Sequence, residues 1–540
     1  MKRESELFKS KIGVALAALG LWLFFLLFVI VPVLFVFFSA KAEDFKTVFT
    51  STSFYQVLKN TGLECLCSTF LSVFFGYIYA YAIVRGNLPL KKIFAAIPLI
   101  HMVTPPFIGG LSFILLFGRQ GFITKTVLGL DISLYGFFGI LLSQVLCFFP
   151  IAYLICRQTL EGINPKLEQA ARSLGAKRLK IFLTITFPLS FAGILSSFLF
   201  IAVSVLSDFG NPLIVGGRFK VLAVEIYTQL TGWLNSGVSA ILGLVLLLPS
   251  VALFLAQNYL FNKNEKKLAT VGAKAGFEPK IDVSPFARFC LTIFCSFLSI
   301  LILAQFLSVV AGSFQKLWGI DKSFTLMHIK SVVSFASSLA NSLLFSFIAA
   351  LLSTSIAALT AYLTHRVKLP FSSALDCICQ LPSAIPGTLF GLSLAYFSNF
   401  IRFEWSAFLI VIAMTVSYLP FSYRICSSTF ARLSFNLDEA SRSLGAGRFK
   451  VLSSVILPLS VGGLFSSFVY DFVRGVGTLS SVIFLIGFNT SLASVKILNL
   501  AEQGDWGKSA SLALVLTLVT FIILFVGRKV SQKFEANIYE

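Results

Sequence analysis

The residues best placed to do more than fill a core lie in one pattern that occurs twice. Residues 168–190 read EQAARSLGAKRLKIFLTITFPLS and residues 438–460 read DEASRSLGAGRFKVLSSVILPLS. With no gap, 11 of 23 positions agree at an offset of 270, where composition alone gives about two. The first copy opens on an acid and an amide (Glu168 and Gln169) and the second on two acids (Asp438 and Glu439); each continues with small residues (Ala170 and Ala171; Ala440 and Ser441) and ends on glycine (Gly175; Gly445). Asn164 and Pro165 suit a helix opening. Leu167, Ala170, Ala171 and Leu174 then fall at i, i+3, i+4 and i+7, a small apolar face. Glu168 with Arg172, and Asp438 with Arg442, are charge pairs at i, i+4, and the glycines permit the turn that ends a helix. The chemistry of such a surface is recognition. A narrow face of Ala, Gly and short polar residues inserts poorly into lipid headgroups but lets a protein partner approach closely, so two copies predict two docking sites.

Bond-making chemistry has no evident centre. No G-x-x-x-x-G-K-[ST] phosphate loop occurs, so ATP hydrolysis must belong to another polypeptide. The histidines are His101, His328 and His365, at spacings that make neither a metal site nor a nucleophile–base pair. Cys65-Leu66-Cys67 and Cys377-Ile378-Cys379 suggest metal ligands, but residues two apart on a helix point about 200° apart, and the other five cysteines read as packing residues within or at the ends of apolar runs. No catalytic residue, resident metal or bound cofactor is expected. Ionisable groups at membrane depth are the remaining candidates, because they are costly unless used. These are His101, and Asp471 with Arg474 at i, i+3, either a substrate contact or a buried pair fixing helix packing. Asp208, Asn211 and Glu225, in an external segment, are candidate contacts to substrate or to an external protein.

The elements that position these residues are membrane helices. Of 540 residues, 57% are hydrophobic and 12% charged, outside the range of soluble domains. Apolar runs of spanning length, roughly 20 residues, recur near 12–38, 61–84, 93–117, 135–157, 190–206 and 239–260, and again near 287–313, 337–363, 374–398, 405–427, 460–483 and 509–527. About twelve helical spans follow, since a lipid-facing backbone must satisfy its own hydrogen bonds. A helix break is expected at Thr104-Pro105-Pro106. The first run is too long for a secretory signal and reads as a retained span. With the N-terminus inside, about 29 of the 43 Lys and Arg residues fall on inner segments, the positive-inside bias. The charge of +20 is thereby assigned to the membrane and not to nucleic acid, for which no basic stretch carries interleaved aromatics. Both termini are then cytoplasmic.

Asn60 aligns with Asn341 and Pro89 with Pro370 at an offset of 281, so the first half holds about eleven extra residues near Arg119 to Tyr135, an external loop. The chain divides into a first repeat, 1–261, a polar linker, 262–285, and a second repeat, 286–540, with docking loops at 164–190 and 434–460. Repeats with an even number of spans share one orientation, which places both loops on the cytoplasmic side.

The loops resemble those of permease subunits of binding-protein-dependent ABC importers, whose pattern is Glu-Ala-Ala, three residues, Gly, nine residues, then Ile-x-Leu-Pro. Glu439-Ala440-Ser441 with Gly445, Val455 and Leu457-Pro458 matches, as does Gln169-Ala170-Ala171 with Gly175, Ile185 and Phe187-Pro188. The first half departs from it: Gln169 stands where Glu439 stands in the second, with Glu168 just before it. The resemblance implies an all-α inner-membrane protein of two tandem six-helix type I importer repeats. It further implies two copies of an ATP-binding cassette ATPase, which carry ATP and Mg, docked on the loops, and an external substrate-binding protein. The segments SDFGNPLIVGGRFKVLAVEIYTQL (207–230) and RGVGTLSSVIFLIG (474–487) are similar to fused ferric-iron permeases. Ferric iron is therefore the favoured cargo, with phosphonate, sugar phosphate or thiamine as alternatives. From another class, an ion-gradient-driven secondary transporter is the rival, although acidic coupling sites deep in several spans are sparse.

Overall fold

A computed structural model describes residues 2–103, 107–131, 134–268, 284–367, 369 and 371–539. The Thr104-Pro105-Pro106 break and most of the linker lie outside the described residues. Among the described residues the fold is helical, apart from one antiparallel hairpin, Gln315–Leu317 with Asp321–Phe324, turned at Gly319.

Nine described helices are long and apolar enough to cross a bilayer, or up to eleven if each of two bent pairs is one span. In the first half they are Ile12–Ser39, Thr52–Arg85, Phe137–Gly162, Arg178–Leu206 and Ser236–Leu260. In the second they are Pro285–Phe314, Met327–Val367, Ser406–Arg432 and Trp506–Gly527. The bent pairs are Ser372–Ala384 with Gly387–Phe400, at 103°, and Arg448–Leu459 with Val461–Val476, at 78°. Pro386 lacks the N–H needed to carry the first pair straight on. The expected span 93–117 takes the form of Lys91–Val103 and Phe107–Phe117, on either side of the undescribed residues. Several helices outrun their apolar windows. The second span begins at Thr52 and not near 61, because the turn-rich polar residues before Asn60 continue the helix beyond the stretch that hydropathy detects.

Within each half the second span packs along the fourth, and the fifth lies on both. Small residues make this approach possible. A Cβ on Gly193 would meet Thr159 Oγ1, and one on Gly463 would meet Thr429 Oγ1, well inside contact distance in both cases. The repeat thus places the same glycine–threonine contact in both halves, the kind of small-residue interface membrane helices use.

The first span of each half reaches across to the other repeat while keeping contact with the last span of its own. Phe35 meets Phe397 and Phe400, at 6.1 and 4.8 Å between ring centroids, and Phe28 meets Phe408 at 5.9 Å. Reciprocally, Pro285–Phe314 lies on Phe107–Phe117 and Thr52–Arg85. There Ser299 Oγ and Tyr79 share a 2.9 Å hydrogen bond, and just beyond that helix Trp318 Nε1 donates to Leu115 O at 3.1 Å. The halves are braced against each other by exchanged arms, with a cavity between them.

Candidate functional site

The two loop helices are Pro165–Ser173 and Asn436–Ser443. Both follow a side-chain-to-backbone bond at aligned positions: Asn164 Oδ1, at the N-cap, accepts from Lys166 N at 3.0 Å, and Ser434 Oγ, one residue before the second helix's N-cap, accepts from Asn436 N at 3.2 Å. Both close in the same left-handed turn, at Gly175 with φ +83° and Gly445 with φ +89°. The bonds Gly175 N to Arg172 O and Ala176 N to Ala171 O, repeated at Gly445 and Ala446, complete a Schellman motif. Gln169, Ala170, Glu439 and Ala440 are exposed, while Ala171 and Ser441 are half-buried. At the tips Leu174 and Leu444 are 88% and 91% exposed, the most exposed leucines among the described residues.

The leading acids turn inward, onto arginines of the second spans. Arg85 Nε lies 3.2 Å from Glu168, whose Oε1 also accepts from Thr186 Oγ1 at 2.8 Å. Arg85 Nη2 donates to the carbonyls of Leu160 and Ile163 at the end of the fourth span. In the second half Arg366 Nη1 lies 2.6 Å from Asp438, and its Nη2 donates to the carbonyls of Phe430 and Leu433. One guanidinium therefore ties the loop helix to the second span and to carbonyls in the last turn of the fourth, where helical partners run out. The clamps differ in depth. Arg85 and Glu168 are 7% and 6% exposed, Arg366 and Asp438 2% and 17%. At the position of Thr186 the second half has Ile456, so Asp438 lacks the third partner, and its Oδ1 is buried unbonded.

Between the halves lies a cavity of about 870 Å³, and His101, Asp208 and Arg474 all line it. Behind Asp208, Gln144 Nε2 donates to Asp208 Oδ2 at 3.0 Å and to Glu64 Oε1 at 2.6 Å, while Asn211 Nδ2 donates to Asp208 at 2.9 Å. Asp471 does not pair with Arg474 among the described ion pairs, and accepts instead from Ser422 Oγ at 2.6 Å. Glu225 is away from the cavity, held by Lys220 at 3.2 Å and Gln229 at 2.7 Å. Its segment, with helices Gly210–Val215 and Leu222–Thr231, is pinned by Asn60, which donates to Lys220 O, and Thr61, which accepts from Leu222 N. Asn341 and Ser342 hold the equivalent segment through Asn489 O, Ser491 O and Ala493 N. Among the described residues no group of three or more His, Cys, Asp and Glu could hold a metal ion, and all nine cysteines are free.

Sequence reading missed Glu64, Gln144, Arg85 and Arg366. A signal existed for the arginines, which align at the same offset of 281 as Asn60 and Asn341.

Comparison with known proteins agrees with this geometry. Residues 72–266 and 353–535 match the family described as binding-protein-dependent transport system inner membrane component. The ferric transport system permease protein FbpB of Actinobacillus pleuropneumoniae is 32% identical over 480 residues, 86% of this chain and 69% of that protein. A putative ferric transport system permease protein FbpB 1 of Haemophilus influenzae is 31% identical over 86% of this chain and 76% of its own length. The molybdenum transport system permease protein ModB of Escherichia coli is 30% identical, but over 34% of this chain.

Proposed function

We infer the function from one premise: this chain belongs to the family of binding-protein-dependent transport system inner membrane components, with two copies of the family's domain in tandem. It is a multi-pass permease subunit of an ABC importer and not itself an enzyme; such a system implies ATPase and binding-protein partners. Beyond that, we propose that the cargo is ferric iron. The supporting observation is coverage: the relatives named for ferric transport align across 86% of the chain, both halves included, whereas the molybdenum permease aligns with 34%.

In this reading each loop takes one ATPase chain, on which ATP and Mg bind, and both loops and both termini face the cytoplasm. Leu174 and Leu444 enter the partner's surface, with Gln169, Ala170, Ala171 and Gly175, or Glu439, Ala440, Ser441 and Gly445, forming the close contact around them. Glu168 and Asp438 serve the docking from within. Through Arg85 and Arg366 they couple a displaced loop helix to the second and fourth spans, so that ATPase closure moves the cavity walls. The external protein delivers cargo at the opposite face, near the segments pinned by Asn60 and Asn341.

The cargo is tested by uptake of labelled ferric iron in cells lacking the gene, with and without the gene restored. Restored uptake is expected. Equal uptake in both strains, in a background without a second iron system, removes iron.

A further inference from the structure

The charges lining the cavity are not equally satisfied. Asp208 accepts three hydrogen bonds, from Gln144 Nε2 at 3.0 Å, Asn211 Nδ2 at 2.9 Å and Asn211 N at 3.4 Å. Arg424 is engaged by Gln380 Oε1 at 3.1 Å and Asn258 Oδ1 at 3.0 Å. Arg474 differs from both: the neutral hydroxyl of Tyr470 is a hydrogen-bond partner of its guanidinium, its Nε is buried with no hydrogen-bond partner, and no ion pair among the described residues includes it. The acid one turn earlier, Asp471, is committed to Ser422. A guanidinium at membrane depth without a counter-ion is costly, and such groups persist where a ligand supplies the missing charge. Its planar donors fit oxygen-rich anions. Tyr470 and Ser480 share the lining and add hydroxyl groups able to donate to the same oxygens, whereas Tyr418 and Thr478 are bonded to each other.

We propose that the cavity receives its cargo as an anion, with Arg474 the residue that binds an oxyanionic group. Two sources offer that chemistry, a free oxyanion and the anionic ligand shell of a metal ion. This deepens the importer reading and rests on it, because a cavity that passes nothing has no cargo to charge-match. It also accounts for an iron importer with no metal-ligand cluster among its described residues: the protein holds the anion and the anion holds the metal.

The test uses the full chain in lipid nanodiscs, titrated with radiolabelled inorganic phosphate. Saturable binding is expected, weakened at least about tenfold by Arg474→Gln, the loss of a charge-assisted bond. Arg474→Lys, which keeps the charge, should retain binding within about threefold, and Asp471→Asn, whose carboxyl faces away, should leave it unchanged. No phosphate binding by the unaltered chain, or equal binding by Arg474→Gln, overturns the proposal, as does binding lost equally in Arg474→Lys and Asp471→Asn. Vesicles holding the chain with its ATPase and binding protein separate the two sources. Phosphate accumulating without iron assigns a free oxyanion; iron accumulating from ferric citrate and not from a cationic iron chelate assigns the metal complex. Iron accumulating equally from both overturns the proposal while leaving the importer reading intact, whereas loss of ATPase co-purification would count against the importer reading alone.

Discussion

The two repeated loops and the cavity between the halves were copied together, and they have diverged very differently. Opening side-chain-to-backbone bond, glycine turn, exposed leucine and inward clamp recur in both loops, down to Asn164 and Ser434, Leu174 and Leu444, Arg85 and Arg366. In the cavity the matching positions hold different chemistry. Arg474 of the second half aligns with Ser204, Asp208 of the first with Thr478, and His101 with Pro382, although all six line the same space. Behind that wall Gln144 aligns with Met414 and Glu64 with Phe345. In the proposed reading, a surface that meets two identical partners is held to one form in both copies, whereas a surface that meets a single small cargo has no such restraint and its two walls can become complementary.

The largest effect expected from breaking this contrast is on the clamps. Arg85→Met leaves Glu168 buried without its charge partner, and removing one member of a buried pair costs about 3–5 kcal/mol. Thermal unfolding of the purified chain should show a large loss for Arg85→Met and a smaller one for Arg366→Met, because the Asp438 side chain is 17% exposed against 6% for Glu168. Equal losses would mean that the clamps are alike in depth. Next come the walls. Arg474→Gln should lower transport by about tenfold or more, and Ser204→Ala by less than about twofold, as expected when a charged bond is lost on one side and a neutral one on the other. Comparable losses would indicate equivalent walls. Gly175→Ala and Gly445→Ala should each cost about 1–2 kcal/mol of loop stability, since both require positive φ with open space around the missing Cβ; loop hydrogen exchange should rise equally in the two. The smallest effect is on the outer pins. Asn60→Ala and Asn341→Ala each remove bonds to loop carbonyls and should cost about 1 kcal/mol, read as matched small falls in melting temperature.

Much of the fold is legible in the sequence because a membrane imposes it: long apolar runs, alternating basic loops and a gapless repeat require few choices. The exchange of the first spans is not. An apolar helix face states that it avoids water, and Phe28 and Phe35 carry no mark distinguishing lipid from the opposite half. The inward turn of Glu168 was hidden for a similar reason. Local spacing offers Arg172 at i, i+4, whereas the buried partner, Arg85, is 83 residues away, and for Asp438 the partner is 72 residues away. His101 and Arg474 are identifiable in the sequence as ionisable groups at membrane depth and Asp208 as an acid of an external segment, and the fold brings the three to one cavity. Glu225 shared their composition but is drawn off by Lys220. Glu64 was overlooked because a single acid scarcely lowers the mean hydropathy of a 34-residue helix.

The central claim, two equivalent docking loops on one non-equivalent pathway, is tested most directly by the native mass of the chain purified with its ATPase. Two ATPase chains per permease are expected for the unaltered protein, fewer for Leu174→Asp and for Leu444→Asp to the same degree, and none when both changes are combined. Two ATPase chains still bound to the double variant, or a loss produced by one substitution and not the other, would contradict it.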